Sequence, residues 1–263
     1  MARLLISNDD GIFAKGLFTL AKELKNHFEI AIVAPDRQRS GTGIGLTLHR
    51  AISVQEVPLF EGVKSWKTSG KPADCVKLGL SVLLDYKPDM IVSGINQGSN
   101  SGRNALYSGT VGAAMEGAIR GIPAIAFSSI DEDNPDYEGI SHFTVPIIQH
   151  FLKHPMPIGT VINVNFPNCK GSEIKGVKYA RQGMSYYGEK PYFDSKELGY
   201  YISKQELLYD EDAHSDITYL SQNYISAVPI SVKELTEMSH FNSHKELFEK
   251  SLLDLPIKSI ETV

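Results

Sequence analysis

The segment Asn8-Asp9-Asp10-Gly11 sets two carboxylates side by side where a short apolar run beginning at Arg3 stops. Like charges this close repel, and a fold accepts them together chiefly when a cation sits between them. Carboxylate, hydroxyl and amide oxygens suit hard divalent cations such as Mg²⁺ or Mn²⁺. Taken alone, the motif also reads as a polar turn with both aspartates solvated. Two further segments rich in glycine or oxygen-bearing side chains are Arg37–Gly43 (RQRSGTG) and Gly94–Asn100 (GINQGSN). A fourth, Tyr107–Gly112 (YSGTVG), opens a helical pattern with Ser108 placed to cap it. Helix N-termini carry partial positive charge and bind phosphate, and Gly109 would let backbone N–H groups approach a ligand. A plain N-cap before a close-packed Ala/Gly helix is the other reading.

Other chemistries are missing from the chain. It has no GxGxxG after the first apolar run, no GxxxxGK[ST], no GxSxG and no HExxH. Its eight histidines show no metal-ligand spacing, which disfavours zinc. The formal charge of −5 gives no global basic field to draw in a nucleic-acid polymer, so an anionic substrate needs a local cationic site.

These segments must be positioned by a scaffold. The 263 residues, 42% hydrophobic and 22% charged, fit one large domain with a sizeable core. No stretch reaches about 18 apolar residues and no signal peptide is visible at the start, so a cytoplasmic protein without a membrane span is expected. Cys75 and Cys169 form no CxxC pair and read as small packing residues in a reducing compartment.

Along the chain, strand patterns at Arg3–Asn8 and Glu29–Ala34 flank a helical pattern through Leu17, Leu20, Ala21 and Leu24. This β-α-β opening predicts parallel strands with a right-handed crossover. Ala51–Val57 and Val63–Thr68 suggest a hairpin turning at Gly62, and Pro72 starts a helix over Ala73–Leu84. Strands at Asp89–Ser93, Pro123–Ser128 and Thr160–Phe166 alternate with helices at Thr110–Arg120 and around His142–Leu152. The alternation predicts a doubly wound α/β fold with both faces of a mostly parallel sheet covered. Ligands of such sheets bind outside the carboxyl ends of the strands, where the first three segments fall.

After about residue 170 the pattern changes. Val177–Ala180, Tyr200–Leu208 and Tyr224–Val228 look strand-like, and Ser231–Leu253 looks mainly helical. We read a single domain over 1–263, with about 171–263 as an extension of hairpins and a C-terminal helix used in oligomerisation. The acidic run Asp210–Asp212 reads as a solvated loop.

Taken together, the segments resemble the SurE family, the stationary-phase survival proteins. The resemblance rests on LLISNDDGIFAKGL (4–17), APDRQRSGTG (34–43), GKPADCVKLGL (70–80) and IVSGINQGSNSGRNALYSGTVGAAMEGA (91–118). Weaker echoes lie in INVNFP (162–167) and SDITYLSQNYISAVPI (215–230). The resemblance implies a Rossmann-like domain with a C-terminal oligomerisation arm, a homodimer or homotetramer. It also implies a divalent-metal phosphatase acting on nucleoside 5′- and 3′-monophosphates, some members also hydrolysing short polyphosphate. The family's metal ligands fall on Asp9, Asp10, Ser40 and Asn96, holding one Mg²⁺ or Mn²⁺ per subunit, and its phosphate-binding positions on Asn100, Ser108, Gly109 and Thr110. Asn104, Lys71 and Ala227-Val228 depart from the family pattern, but none removes a ligand position.

The implied reaction is metal-assisted phosphoryl transfer to water, with Asp9 and Asp10 as catalytic residues and one of them as general base. Asp9 as a covalent nucleophile is disfavoured, because a carboxylate that also coordinates metal is a poorer nucleophile. The competing reading from another class is a non-catalytic nucleotide-binding regulatory module using the same phosphate cradle.

Overall fold

A computed structural model describes residues 1–187, 191–202 and 206–251. In chain order the strands and α-helices run β1 (Arg3–Ser7), α1 (Lys15–Leu24), β2 (Glu29–Pro35), β3 (Val54–Glu56), β4 (Ser65–Thr68), α2 (Pro72–Leu78) and β5 (Met90–Gln97). There follow α3 (Gly109–Ile119), β6 (Ala124–Ser129), α4 (Tyr137–Ser141), α5 (Thr144–Lys153), β7 (Thr160–Phe166) and β8 (Val177–Tyr179). The remainder is β9 (Tyr186–Tyr187), β10 (Tyr192–Asp194), β11 (Gly199–Tyr201), β12 (Glu206–Leu207), α6 (Asp216–Ser221), β13 (Ile225–Ser231) and α7 (Met238–Ser251).

Nine strands form the main sheet in the order β3-β4-β2-β1-β5-β6-β7-β13-β8. The six strands from β4 to β7 run parallel, while β3 pairs antiparallel with β4 and β13 antiparallel with β7. Strand periodicity divides the core in two. Leu4, Ile6, Ile32, Val92 and Phe127 point with Leu17 and Leu20 of α1 and Ile148 of α5 into one layer. Leu5, Val33, Ile91 and Ala126 point with Val76 of α2 and Val111 and Ala114 of α3 into the other. The expected doubly wound α/β fold, with helices on both faces of a mostly parallel sheet, is what the chain adopts.

From β1 the chain moves outward through β2 and β4, then returns to place β5 on the other side of β1. The crevice between β1 and β5 is therefore the topological switch point, the ligand-binding position of open α/β sheets. Both strand ends flanking it carry predicted site residues.

Several boundaries differ from expectation. The helix predicted over Ala73–Leu84 is an α-helix only to Leu78 and continues as a π-helical turn over Gly79–Leu83. Strand β5 runs on to Gln97, so Asn96 is a strand-end residue rather than part of a loop. The strand expected over Tyr200–Leu208 is divided between β11 and β12, and residues 203–205 lie outside the described residues. Ser231 ends β13, and the helix expected from there begins only at Met238; residues 252 and 253 lie outside the described residues. Pro229 sits within β13, where β8 has already ended at the Tyr179–Ala227 pair. Its missing N–H is tolerated because that strand is locally an edge.

The acidic run at 210–212 is not a plain solvated loop. Glu211 Oε1 accepts the backbone N–H groups of Met184 and Ser185 (2.7 and 2.9 Å), and Asp212 pairs with Arg181. Cys75 is buried against the Thr68 hydroxyl (3.1 Å), and burial pushes its thiol pKa up to about 12, as suits a packing residue. Cys169 is half-buried and free. Among the described residues no helix is long and apolar enough to cross a membrane.

Residues 1–233 and 234–263 form two compact units. Within the first, Asp216 acts as a clasp. Its buried carboxylate accepts the N–H groups of Gly102 (2.9 Å), Gly183 (2.8 Å) and Ile217 (2.9 Å), tying distant segments to the turn that follows β5. Removing it leaves buried donors without acceptors, each costing about 1–3 kcal/mol. Asp216→Ala is expected to lower stability by roughly 3 kcal/mol or more. Urea denaturation checks this, and a midpoint equal to that of the parent protein would deny the clasp its role.

Candidate active site

Gly11 makes the first turn of the site. Its φ of +104° suits glycine, and a Cβ there would press on the Arg37 backbone at 3.2 Å. Asn8 stabilises the turn, its side chain donating to the Gly11 carbonyl (2.9 Å) and accepting the Gly11 N–H (3.2 Å). The chain thus breaks from β1 immediately beyond Asp9 and Asp10. Successive strand side chains point to opposite faces, so only such a break lets two adjacent carboxylates serve one site.

Asp9 is buried at the start of α3. Its Oδ1 accepts the Thr110 hydroxyl, and its backbone carbonyl accepts the Arg39 N–H at 2.7 Å. Gly109 is a glycine because Asp9 occupies the space of a side chain: a Cβ there would lie 2.8 Å from Asp9 Cβ and 2.9 Å from Asp9 Oδ2. Asp10 accepts the Gln97 N–H at 3.0 Å, fastening the end of β1 to the end of β5. Asn96, next to Gln97, donates its amide to the Gly98 carbonyl at 2.8 Å, and its Oδ1 remains as an acceptor.

Ser108 caps α3, its hydroxyl oxygen accepting the Val111 N–H at 3.1 Å. That bond uses the oxygen and leaves the hydroxyl hydrogen to donate. Ser40 is exposed, one residue beyond the Arg39 that bonds Asp9. Asn100 lies one strand further along, its amide donating to Ser128 Oγ at 2.7 Å. The structure therefore joins Asp9, Asp10, Gly109 and Thr110 directly and sets Asn96 beside them. Among the described residues, Ser40 and Asn100 make no direct hydrogen bond to either aspartate.

Several participants were not singled out from sequence. Gln97 supplies a backbone donor to Asp10, and the Gln38 side chain favours its charged form. Asn163 and Asn165 of β7 bond the Asn100 backbone: Asn165 Oδ1 accepts the Asn100 N–H (3.0 Å), and Asn163 Nδ2 donates to the Asn100 carbonyl (2.8 Å). The other half of each carboxamide, Asn163 Oδ1 and Asn165 Nδ2, has no protein partner. A buried polar group left unpaired costs about 1–3 kcal/mol. The two polar interruptions of the apolar run INVNF were the only sequence signal for them.

Burial, reinforced by the charge on Asp10, raises the Asp9 pKa to about 7; burial also raises that of Asp10. Among the described residues no lysine, arginine or histidine forms an ion pair with either. Two inward-held carboxylates with hydroxyl and amide oxygens alongside are the donor set of a hard divalent cation. Among the described residues no group of three His, Cys, Asp or Glu comes together, so a zinc-type cluster is absent there.

The raised pKa has a measurable sign. Folded Asp9 holds its proton to about pH 7, whereas its ordinary value is 3.8, so ionisation opposes folding in the chelated protein. The stabilising contribution is complete below about pH 4 and is lost as pH rises through about 7. In EDTA, Asp9→Asn is expected to remove this component, so that its melting temperature overtakes the parent's as pH rises from 5 to 8 by about 4 °C or more. Parallel melting-temperature profiles would contradict the buried, repelled carboxylate.

The family model for survival protein SurE matches residues 4–189. The chain is 40% identical over 251 residues to a protein of Protochlamydia amoebophila named 5′-nucleotidase SurE, covering 94% of this chain and 96% of that protein. A protein of the same name from Crocosphaera subtropica is 43% identical over 253 residues, covering 90% and 91%. The crystal structure of the SurE protein from Aquifex aeolicus superposes with a TM-score of 0.82 at 38% identity, covering 94% of this chain and 99% of that one. With the two aspartates at the switch point and the glycine that admits Asp9 against α3, these matches are those of a family member: the chain belongs to the SurE family.

Proposed function

We propose that the protein is a divalent-metal-dependent 5′-nucleotidase that hydrolyses nucleoside monophosphates to nucleoside and phosphate. The observation that carries the reading is Asp9 held at the start of α3 and Asp10 at the end of β5, side by side and with no ion-pair partner among the described residues. The names of the relatives agree with it. Nucleoside 3′-monophosphates and short polyphosphate present the same terminal phosphoryl group and belong to the proposed substrate range.

Asp9, Asp10, Ser40 and Asn96 would hold one Mg²⁺ or Mn²⁺. When bound, the cation supplies Lewis-acid polarisation of a phosphoryl oxygen. The chain's own residues do the rest. Asn100, the Ser108 hydroxyl and the Gly109 N–H, with the partial positive charge of the α3 N-terminus, bind the phosphate oxygens. Thr110 is the fourth phosphate-binding position of this reading, its hydroxyl also donating to Asp9. One of the two aspartates takes a proton from the attacking water as the new P–O bond forms. The bond to the nucleoside oxygen breaks, and that oxygen leaves as a hydroxyl, taking a proton from solvent while the aspartate returns its own to solvent.

Activity is expected to vanish after exhaustive EDTA treatment and return with Mn²⁺, measured on p-nitrophenyl phosphate and on nucleoside monophosphates. Undiminished hydrolysis in EDTA would sink the metal assignment, whereas tight nucleotide binding without hydrolysis would favour a regulatory module. Ser108→Ala should lower kcat/KM by about a hundredfold or more, the loss of one transition-state donor, while leaving the Mn²⁺ requirement in place.

The second compact unit supports an assembly. Helix α7 (Met238–Ser251) buries none of its residues and exposes Phe241, Leu247 and Phe248. A helix of this length is marginal in water by itself, so a second copy of the chain would supply the covering surface. Light scattering of the full chain should give a dimer or tetramer, shifted toward monomer by Phe241→Asp with Phe248→Asp. A monomer across micromolar concentrations would refute the assembly.

A further inference from the structure

From the hydrogen bonds at the end of β7 we infer that Asn163 and Asn165 are positioning residues for the reaction. They hold the Asn100 backbone, and with Ser128 they aim its side chain at the substrate phosphate. The inference rests on the proposed phosphate-binding role of Asn100.

Asn96, Ser128 and Asn165 are register partners across β5, β6 and β7, so their side chains rise on one face of the sheet in a row. Asn163, two residues before Asn165, shares that face. Asn100 lies over the row. Its N–H donates to Asn165 Oδ1, its carbonyl accepts from Asn163 Nδ2, and its side-chain amide donates to Ser128 Oγ. The backbone of one residue is thus gripped at both its polar atoms and its side chain fixed at a third point. With Asn100 Nδ2 committed to Ser128, the side chain keeps its second amide hydrogen and its Oδ1 for a ligand. The backbone partners also fix which end of each β7 carboxamide is which, since an N–H needs an acceptor and a carbonyl needs a donor.

The two asparagines are costly in themselves. Both are fully buried within an apolar strand, and each has one half of its carboxamide without a protein partner. Valine at either place would remove that unpaired half but would leave the buried Asn100 N–H or carbonyl without its partner. What valine could not do is hold Asn100.

The test is a double-mutant cycle read through inorganic phosphate as a competitive inhibitor of the Mn²⁺ enzyme. Asn165→Val and Ser128→Ala should each raise the phosphate inhibition constant by about tenfold. The Mn²⁺ concentration for half-maximal activity should stay within about twofold, because neither residue is a proposed metal ligand and neither hydrogen-bonds to one. Asn100→Ala should raise the inhibition constant comparably, and adding Asn165→Val or Ser128→Ala to it should change little further, since both act through Asn100. Fully additive effects, or an unchanged constant in Ser128→Ala and Asn165→Val while Asn100→Ala is impaired, would overturn the positioning role. An unchanged constant in Asn100→Ala would instead remove Asn100 from the phosphate site. Should Asn165→Val not fold, Asn163→Ala, which removes the donor to the Asn100 carbonyl, takes its place in the cycle with the same expected and overturning results.

Discussion

A carboxylate buried beside another carboxylate is the constraint around which the site is arranged. Asp9 is unfavourable where it stands, because burial withdraws it from water and Asp10 repels it, which together hold its pKa near 7. The surrounding features answer that cost or make room for it. Thr110 donates to the carboxylate, Gly109 yields the volume its own side chain would fill, and Gly11 turns the chain so that Asp10 reaches the Gln97 N–H of the next strand. Protonation of Asp9 relieves that cost at low pH, and positive charge relieves it when the carboxylate is ionised. The partial charge at the start of α3 answers some of that need, and the proposed cation would answer the remainder.

The topology explains why these groups meet. In a parallel sheet the carboxyl ends of all strands face the same way, and the reversal of strand order between β1 and β5 opens a crevice there. A segment after β1, one after β2, one after β5 and a helix start lie far apart in sequence yet share that rim. The antiparallel additions, β3 on one side and β13 on the other, widen the sheet without disturbing the crevice.

The scaffold was legible in the sequence where each apolar run was bounded by a punctuating residue. Asp-Asp-Gly ends β1, Pro35 ends β2 and Pro72 begins α2, and in these places local chemistry and final structure agree. The site residues were legible as a cluster only because the parallel pattern implied a common rim and because the motifs resembled a known family. Harder to see was anything depending on register. Asn163 and Asn165 look like faults in a strand until β6 and β7 are aligned and Asn100 is laid across them. Asp216 looks like a helix-start acid until Gly102, more than a hundred positions away, is found donating to it. The division of residues 199–207 and the late start of α7 were missed because short polar-aromatic stretches carry little periodicity.

The insertion of β13 between β7 and β8 bears on how the chain is made. A ribosome delivers the N-terminal residues first, at roughly 5–20 residues per second. Thr160–Phe166 therefore emerges seconds ahead of Ile225–Ser231, the strand that covers its outer edge. During that interval the nascent polypeptide presents an unpaired row of backbone donors and acceptors on a strand whose residues are all buried in the finished molecule. Completion of the sheet is thus postponed until Ile225–Ser231 has left the exit tunnel. Until then that open border needs shielding from its neighbours on the same messenger.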